Sequence, residues 1–415
     1  MKQFPNRSIE LDDQEREIIN STHFQRLRRI KQLSLTDMVY PSAAHTRFEH
    51  SLGVMQMASD IFDSTIRKKG NLRKLGLNEE NRSRVRKTVR LAALLHDVGH
   101  SPFSHAGEDI MPRLPESHLD FEHESRKIQK YDHAHYSKMA IRVFFKDVID
   151  NYDDADGIKT DEVLFLLGDK SAKPSKSLTP HKDLISGNVD VDRADYLLRD
   201  SYHLGVRYGH YDKNRLVKCA TVGEENDAPV LAIEYGGWQV AESIIMARYN
   251  MFTSVYFHKT RRIYDHHIGE ALKEVLKSHG FNDGTFPPPS ENAAELEKYF
   301  DFDDWKVYGA LKEGRGGEHG SYILDRKHYK QKGKDWIGVL KPEEEQEIES
   351  LKEKYKNHFL DEKVTTSGYK MLDKKTGLDK EVRILLKDGR TVFLSEISDI
   401  VKQIRLPEIT RFYAE

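Results

Sequence analysis

LAALLHDVGHSPFSHAGE, residues 91–108, decides the reading of this chain. It opens as the apolar face of a helix and runs straight into His96, Asp97, His100 and His105, with Gly99 and Pro102 breaking the helix between them. Burying such groups without partners costs several kcal/mol apiece, so something must compensate them. A metal ion is the economical candidate.

The totals bound the rest. At 415 residues the chain is long enough for one large elaborated domain or two to three ordinary ones. Its 38% hydrophobic and 32% charged residues suit a soluble, mostly helical protein and argue against a membrane-embedded or disordered one. No apolar run approaches the length of a bilayer span, and the start MKQFPNRSIELDD lacks the apolar stretch of a secretory signal, so a cytoplasmic location is expected. A single cysteine, Cys219, excludes an internal disulfide and a thiolate cluster, which leaves nitrogen and oxygen to hold a metal. The formal charge of −2 argues against bulk electrostatic capture of nucleic acid.

Apolar spacing predicts a helix from about residue 10 to 35, a second over Phe48 to Ile66, a third over Arg82 to His96 and a fourth over His133 to Asp150. GDKSAKPSKSLTPHKD reads as an exposed, mobile loop. From Val189 the pattern is helical again, a hairpin is expected around TVGEENDAPVLAIEY, and one long helix should run from about Trp238 to His279. EVRILLKDGRTVFLSEIS alternates around an Asp-Gly pair, the strongest short hairpin signal in the chain. The expected fold is mainly α: residues 1–280 as a helical domain, 281–345 as a polar, linker-like insertion, and 346–415 as a smaller, partly β C-terminal region.

Three separated pieces share one chemistry: HTRFEHSLGV with His45, Arg47 and His50, HDVGH with His96, Asp97 and His100, and DVDRADYLLRD with Asp190, Asp192, Arg193, Asp195, Tyr196, Arg199 and Asp200. Together they resemble the HD-domain metal-dependent phosphohydrolases. The longer strings FQRLRRIKQLS, LLHDVGHSPFSH and DVDRADYLLRDSYHLGV are similar to the deoxynucleoside triphosphate triphosphohydrolases within that superfamily, over about residues 8 to 280. Carried over residue by residue, the resemblance makes His50, His96, Asp97 and Asp192 the ligands of one divalent ion, with Mn, Mg, Fe, Co, Ni or Zn all suited to such a set.

The resemblance implies attack at the α-phosphorus, releasing a deoxynucleoside and intact triphosphate. Arg47, Arg193, Tyr196 and Arg199 would then clamp the phosphates, because guanidinium forks grip phosphate oxygens in pairs. His100, His105 and Glu108 match the proton-handling residues, and the remaining family histidine fits at His133, with His135 and His123 as alternatives. Gln32, Leu33, Asp200 and Tyr264 would select sugar and base.

The family forms dimers and tetramers, and in several members a nucleotide at the subunit interface activates, so a homo-oligomer is expected. Asn20 stands where an Asp would read a guanine edge, whereas Gln25 and Arg28 remain for another nucleotide. Two competing readings follow. One is an HD-type phosphodiesterase or 5′-nucleotidase. The other is a nucleotide- or nucleic-acid-binding protein with a degenerate HD site, using the basic runs RLRRIK and RSRVRKTVR, although the intact ligand set speaks against degeneracy.

Overall fold

The computed structural model describes all residues except 1, 4–6, 116–128, 152–156, 174–176, 188–189 and 362–380. Its centre is the helix Arg47–Ile66, in which Leu52, Val54, Met55, Ala58, Ile61 and Phe62 are all buried. A helix apolar around most of its circumference belongs inside a bundle rather than on its surface. The helices Arg82–Leu95 and Val191–Leu204 pack against it. The first ends in the fully buried run Leu91–Leu95 and delivers His96 and Asp97 at its C-terminus; the second is capped by Asp190, whose Oδ1 accepts from the Arg193 N–H at 2.8 Å. These three helices bring the separated sequence pieces together.

The single helix expected near the N-terminus is instead broken into Asp13–Asn20, Thr22–Gln25 and a 3-10 turn Arg26–Arg29. Ser21 breaks it: its hydroxyl donates to the Ile18 carbonyl at 2.7 Å and accepts from the Phe24 N–H at 3.2 Å, ending one helix and starting the next. The helix expected over 238–279 is also divided, into Trp238–Met251, a π turn Phe252–Tyr256, and Lys259–Ser278 capped by His258. A π turn shifts the phase of the residues that follow it, with consequences for which tyrosine faces the site.

Residues 281–345 are not linker-like. Helices Ala293–Phe300, Asp304–Lys312 and Gly317–Leu324 place Leu296, Tyr299, Phe302, Val307 and Leu311 in the main core. The apolar spacing was present but diluted by the charged outer faces of short helices. Likewise, within the stretch read as a mobile loop, Thr179–His181 forms a 3-10 turn and Lys182–Ser186 a helix, with Leu178 and His181 buried.

Both expected hairpins form, Ala220–Glu225 with Ala228–Glu234 and Arg383–Leu385 with Thr391–Phe393. They join through parallel pairing of Ile233 with Ile384 into one four-stranded sheet. A second sheet has Ile409–Ala414 between Lys330–Ile337 and His358–Asp361, over a small separate core of Trp336, Ile348 and Phe412. The β structure near the C-terminus is thus built partly on strands from the middle of the chain.

The basic runs serve the fold. Arg26 is buried, Arg28 lies 3.5 Å over the Phe48 ring, and Arg29 pairs with Asp303. Arg82, Arg84, Arg86, Lys87 and Arg90 pair with Glu79, Glu162, Asp63, Asp12 and Glu15. Among the described residues no helix is long and apolar enough to cross a membrane.

Candidate active site

His50 is fully buried, and its Nδ1 sits 2.9 Å from Asp195 Oδ2. The His96 Nδ1 lies 2.8 Å from the Ala93 carbonyl, which as an acceptor fixes the proton on that nitrogen. Each ring therefore turns its Nε2 the other way, and both Nε2 atoms are buried without a hydrogen-bond partner. They face carboxylates: His50 Nε2 is 3.0 Å from Asp192 Oδ1 and 3.7 Å from Asp97 Oδ2, while His96 Nε2 is 3.5 Å from Asp97 Oδ1 and 3.8 Å from Asp192 Oδ1. The two orphaned imidazole nitrogens converge with the Asp192 carboxylate, and Asp97 presents one oxygen to each ring at 3.7 and 3.5 Å; such a set fits a divalent cation with nitrogen and oxygen ligands.

The electrostatics agree. Burial lowers the His50 imidazole, but the neighbouring Asp192 and Asp195 carboxylates outweigh it and push the ring up to about 9. The same concentration of negative charge would attract a metal ion. Although burial opposes ionisation, the charges of His96, Arg47, His133 and His50 hold the Asp97 carboxyl well below the usual range, and contacts with His50 and His96 do the same for Asp192.

The arginines expected to grip phosphate are largely committed within the protein. Arg47 gives Nη1 to Asp97 Oδ2 at 2.5 Å, Nε to the Ser104 hydroxyl at 2.9 Å and Nη2 to the Gln32 carbonyl at 3.5 Å. Arg199 grips Asp195 with two N–H groups, at 2.7 and 2.9 Å, and reaches Glu49 at 3.4 Å. Arg193 turns back to Asp190 and the Gly187 carbonyl. Arg199 is thus placed behind a metal-ligand candidate, as the outer member of an Arg199–Asp195–His50 series. Asp195 stands in the DVDRADYLLRD string but was assigned no role from the sequence. Its signal was its place three residues after Asp192 and four before Arg199, on one helix face. Asp195→Asn should weaken metal affinity by about 10–100-fold with the metal ligands themselves untouched, measured by chelator competition.

Beside this centre lies a second cluster. His100 is fully buried and stacked on His133 at 4.3 Å, with His105 edge-on at 5.0 Å. Glu108 joins the other two histidines, with Oε1 at 2.5 Å from His133 Nδ1 and Oε2 at 3.0 Å from His105 Nδ1. His133 Nε2 is 3.8 Å from Asp97 Oδ1 and so spans the two clusters. Burial lowers His133, but the charge and hydrogen bond of Glu108 prevail and raise it to about 9. Burial, aided by the charges of Arg47 and His133, holds His100 well below its ordinary value and therefore neutral. His135 instead pairs with its own helix cap, Asp132, at 2.6 Å, while His123 lies outside the described residues.

Gly99 makes this juxtaposition possible. A Cβ there would stand 2.1 Å from the Ser137 nitrogen and 2.4 Å from the Tyr136 carbonyl carbon, so only glycine lets the His133 helix approach the turn after Asp97. Because the obstruction is backbone, Gly99→Ala should destabilise the fold by about 3 kcal/mol or more, seen as a lower midpoint in urea.

Asp200 is buried, bonded through Oδ1 to His45 Nε2 at 2.8 Å and accepting from the Tyr256 hydroxyl through Oδ2 at 2.6 Å. Tyr196 is edge-on to Tyr256 at 6.5 Å, and His45 stacks on His203 at 4.4 Å. Tyr264 does not join them. It is buried against His328, with ring centroids 5.3 Å apart, in a separate aromatic group. Tyr256 is the tyrosine that reaches Asp200, and the π turn that carries it was not foreseen. Gln32 and Leu33 are buried on the stretch that follows the 3-10 turn, and the Gln32 N–H donates to the His45 carbonyl at 2.9 Å. Gln25 accepts from Arg28 at 2.8 Å.

A third histidine group, His266, His267 and His319, also has converging ring nitrogens. There the Tyr329 N–H donates to His267 Nε2 at 3.2 Å, so His267 Nδ1 carries the proton and gives it to His319 Nδ1 at 2.8 Å. Unlike His50 and His96, this pair satisfies itself.

With that geometry in place, the relatives can be compared. Residues 47–200 match the family described as HD domain and residues 211–407 the one described as HD associated region. An uncharacterized protein of Methanocaldococcus jannaschii is 38% identical over 271 residues, 65% of this chain and 48% of that protein. A Dictyostelium discoideum protein named deoxynucleoside triphosphate triphosphohydrolase SAMHD1 homolog is 34% identical over 270 residues, 64% of this chain and 47% of its own length. The chain thus spans about half the length of these curated relatives. A crystal structure of a hypothetical protein from Aquifex aeolicus superposes with a TM-score of 0.71 at 26% identity, covering 97% of this chain and 93% of that one. The ligand-bearing helices Arg47–Ile66, Arg82–Leu95 and Val191–Leu204 all fall within or across the matched HD segment, and the chain belongs to the HD-domain family.

Proposed function

We propose that the chain is a metal-dependent phosphohydrolase and, more finely, that it converts deoxynucleoside triphosphates to deoxynucleoside and triphosphate by attack of water at the α-phosphorus. The observation that supports it most strongly is the pair of buried Nε2 atoms of His50 and His96, unpartnered and facing Asp97 and Asp192. Bound by these four residues, a divalent ion supplies charge neutralisation on a phosphate oxygen and a more acidic water. Asp195 and Arg199 keep the His50 ring in the ligating tautomer, and Arg47 orients Asp97.

His133 is the proton donor to the leaving 5′-oxygen. Its Nδ1 is anchored on Glu108, which stabilises the imidazolium, while Nε2 points toward Asp97 and the reacting centre. His105 shares the Glu108 carboxylate, and neutral His100 supplies a stacked face that keeps the His133 ring in register. Arg193 would have to leave Asp190 and the Gly187 carbonyl to join Tyr196 on the outer phosphates. Asp200, held by Tyr256 and His45 beside Gln32 and Leu33, receives the deoxyribose. The triphosphate substrate follows from the family strings and from the name of the Dictyostelium relative. A homo-oligomer with a nucleotide activator at the subunit interface belongs to the same proposal.

A phosphodiesterase or 5′-nucleotidase is the second reading, favoured by one observation: Arg47 and Arg199 are occupied by Asp97 and Asp195. Incubation of the protein with each dNTP and Mn²⁺, singly and mixed, followed by ion-exchange chromatography separates the two. Deoxynucleoside plus triphosphate is the expected product pair. Inert dNTPs with consumption of monophosphates or cyclic nucleotides would replace the first reading with the second.

A further inference from the structure

The turn that carries His100 and His105 is closed by Ser101, whose carbonyl accepts from the Ser104 N–H at 3.0 Å and whose hydroxyl donates to the Ser104 carbonyl at 2.6 Å, and it is tied from outside as well. Phe103 and Ser104 both have left-handed backbone, with φ of 56° and 55°, which residues bearing a Cβ adopt only when the surroundings impose it. The outside ties come from residues 299–304, at the corner between the helices Ala293–Phe300 and Asp304–Lys312. There the Tyr299 hydroxyl donates to the Gly99 carbonyl at 2.8 Å. Buried Arg26 links the His100 carbonyl, at 2.8 Å, to the Phe302 carbonyl, at 2.9 Å. Asp304 accepts from the Phe103 N–H through Oδ1 at 2.7 Å and from the Lys31 N–H through Oδ2 at 2.9 Å.

Asp304 is the first residue of its helix, yet its carboxylate takes both its N–H donors from outside that helix. The cap is Asp303, which accepts from the Lys306 N–H at 2.9 Å and pairs with Arg29. Asp304 is 2% exposed, and a carboxylate so deeply buried is costly unless its oxygens are satisfied. Two backbone N–H groups from opposite sides of the site satisfy it. The residue after Phe103 extends the connection: Ser104 gives its hydroxyl proton to the Lys31 carbonyl at 2.6 Å and accepts from Arg47, which holds Asp97.

We propose that Asp304 is a positioning residue for the histidine cluster: through the N–H groups of Phe103 and Lys31 it sets the left-handed turn on which His100 and His105 are carried. The effect on rate rests on the functional reading given above, whereas the effect on the turn is measurable without any substrate.

Asp304→Asn keeps the size and replaces one acceptor with a donor. In the intact chain, the amides of Ser101, Phe103 and Ser104 should exchange with deuterium about tenfold faster or more, with bound metal unchanged. The kcat should fall by about 10- to 100-fold with little change in KM, the signature of misplaced groups rather than lost binding. Asp303→Ala, which removes the neighbouring cap, should lower Tm while leaving exchange at 101–104 and kcat unchanged. If Asp304→Asn does not fold, Tyr299→Phe, which removes only the hydroxyl on the Gly99 carbonyl, should accelerate exchange across 99–104 and lower kcat in the same direction. Wild-type exchange at these amides in a folded variant overturns the proposal, and so does faster exchange with wild-type turnover. Absence of dNTP turnover in the unmodified protein would count against the functional reading alone, because the exchange comparison stands without it.

Discussion

Asp97→Asn is expected to reduce bound metal to background and kcat by about a thousandfold or more, since a catalytic cation supplies several kcal/mol of charge stabilisation and each ~1.4 kcal/mol is a factor of ten. The large effect follows from its position. Asp97 reaches both candidate ligand histidines, at 3.7 and 3.5 Å, takes the Arg47 guanidinium at 2.5 Å and lies 3.8 Å from His133. The variant should also be less stable, by roughly 3 kcal/mol, because the buried Arg47 loses its ionic partner. Metal content by mass spectrometry, turnover and a urea titration read the three effects separately. Full metal content with full activity would remove Asp97 from the centre.

The second large effect is expected at His133. His133→Gln should lower kcat by about 10²–10⁴-fold, the usual contribution of a positioned acid, with metal content retained. The pH profile gives the sharper check. Glu108 holds His133 up to about 9, so the imidazolium is present at neutral pH and activity should fall as pH rises through about 9. A raised imidazole also stabilises the fold at low pH, a contribution complete below the unfolded value near 6.5 and lost as pH rises through 9. In Glu108→Gln the carboxylate is gone and burial, which lowers the ring, remains. The alkaline limb should therefore move to lower pH in Glu108→Gln and vanish in His133→Gln. An unchanged limb in both variants would assign the proton to another group.

How much of this was legible in the chain depends on how local the signal was. His96 and Asp97 announce themselves, because an apolar helix ending in ionisable groups needs a partner for them. His50 and Asp192 are distant in sequence and were found only through the resemblance of whole strings. Roles were harder than places. Arg199 reads as a phosphate ligand by residue type, yet the carboxylate four residues earlier on the same helix takes two of its N–H groups. Tyr264 was named through the resemblance alone, and no composition rule marks the π turn at Phe252–Tyr256 that brings Tyr256 to Asp200. The stretch 281–345 hid its core residues behind charge, and the contact of Asp304 with Phe103 joins positions 201 apart in sequence, beyond any periodicity. The hairpin at Asp388-Gly389 was easy, since glycine there takes φ of 91°; its parallel pairing with the strand Ala228–Glu234 was not.

The most direct test of the central claim is an anomalous-difference map from crystals of the protein grown with Mn²⁺. The account predicts a strong peak within ligand distance of His50 Nε2, His96 Nε2 and the carboxylates of Asp97 and Asp192, and none at His266, His267 and His319. A peak at His266, His267 and His319, or no peak between the three ligand-bearing helices, would contradict it.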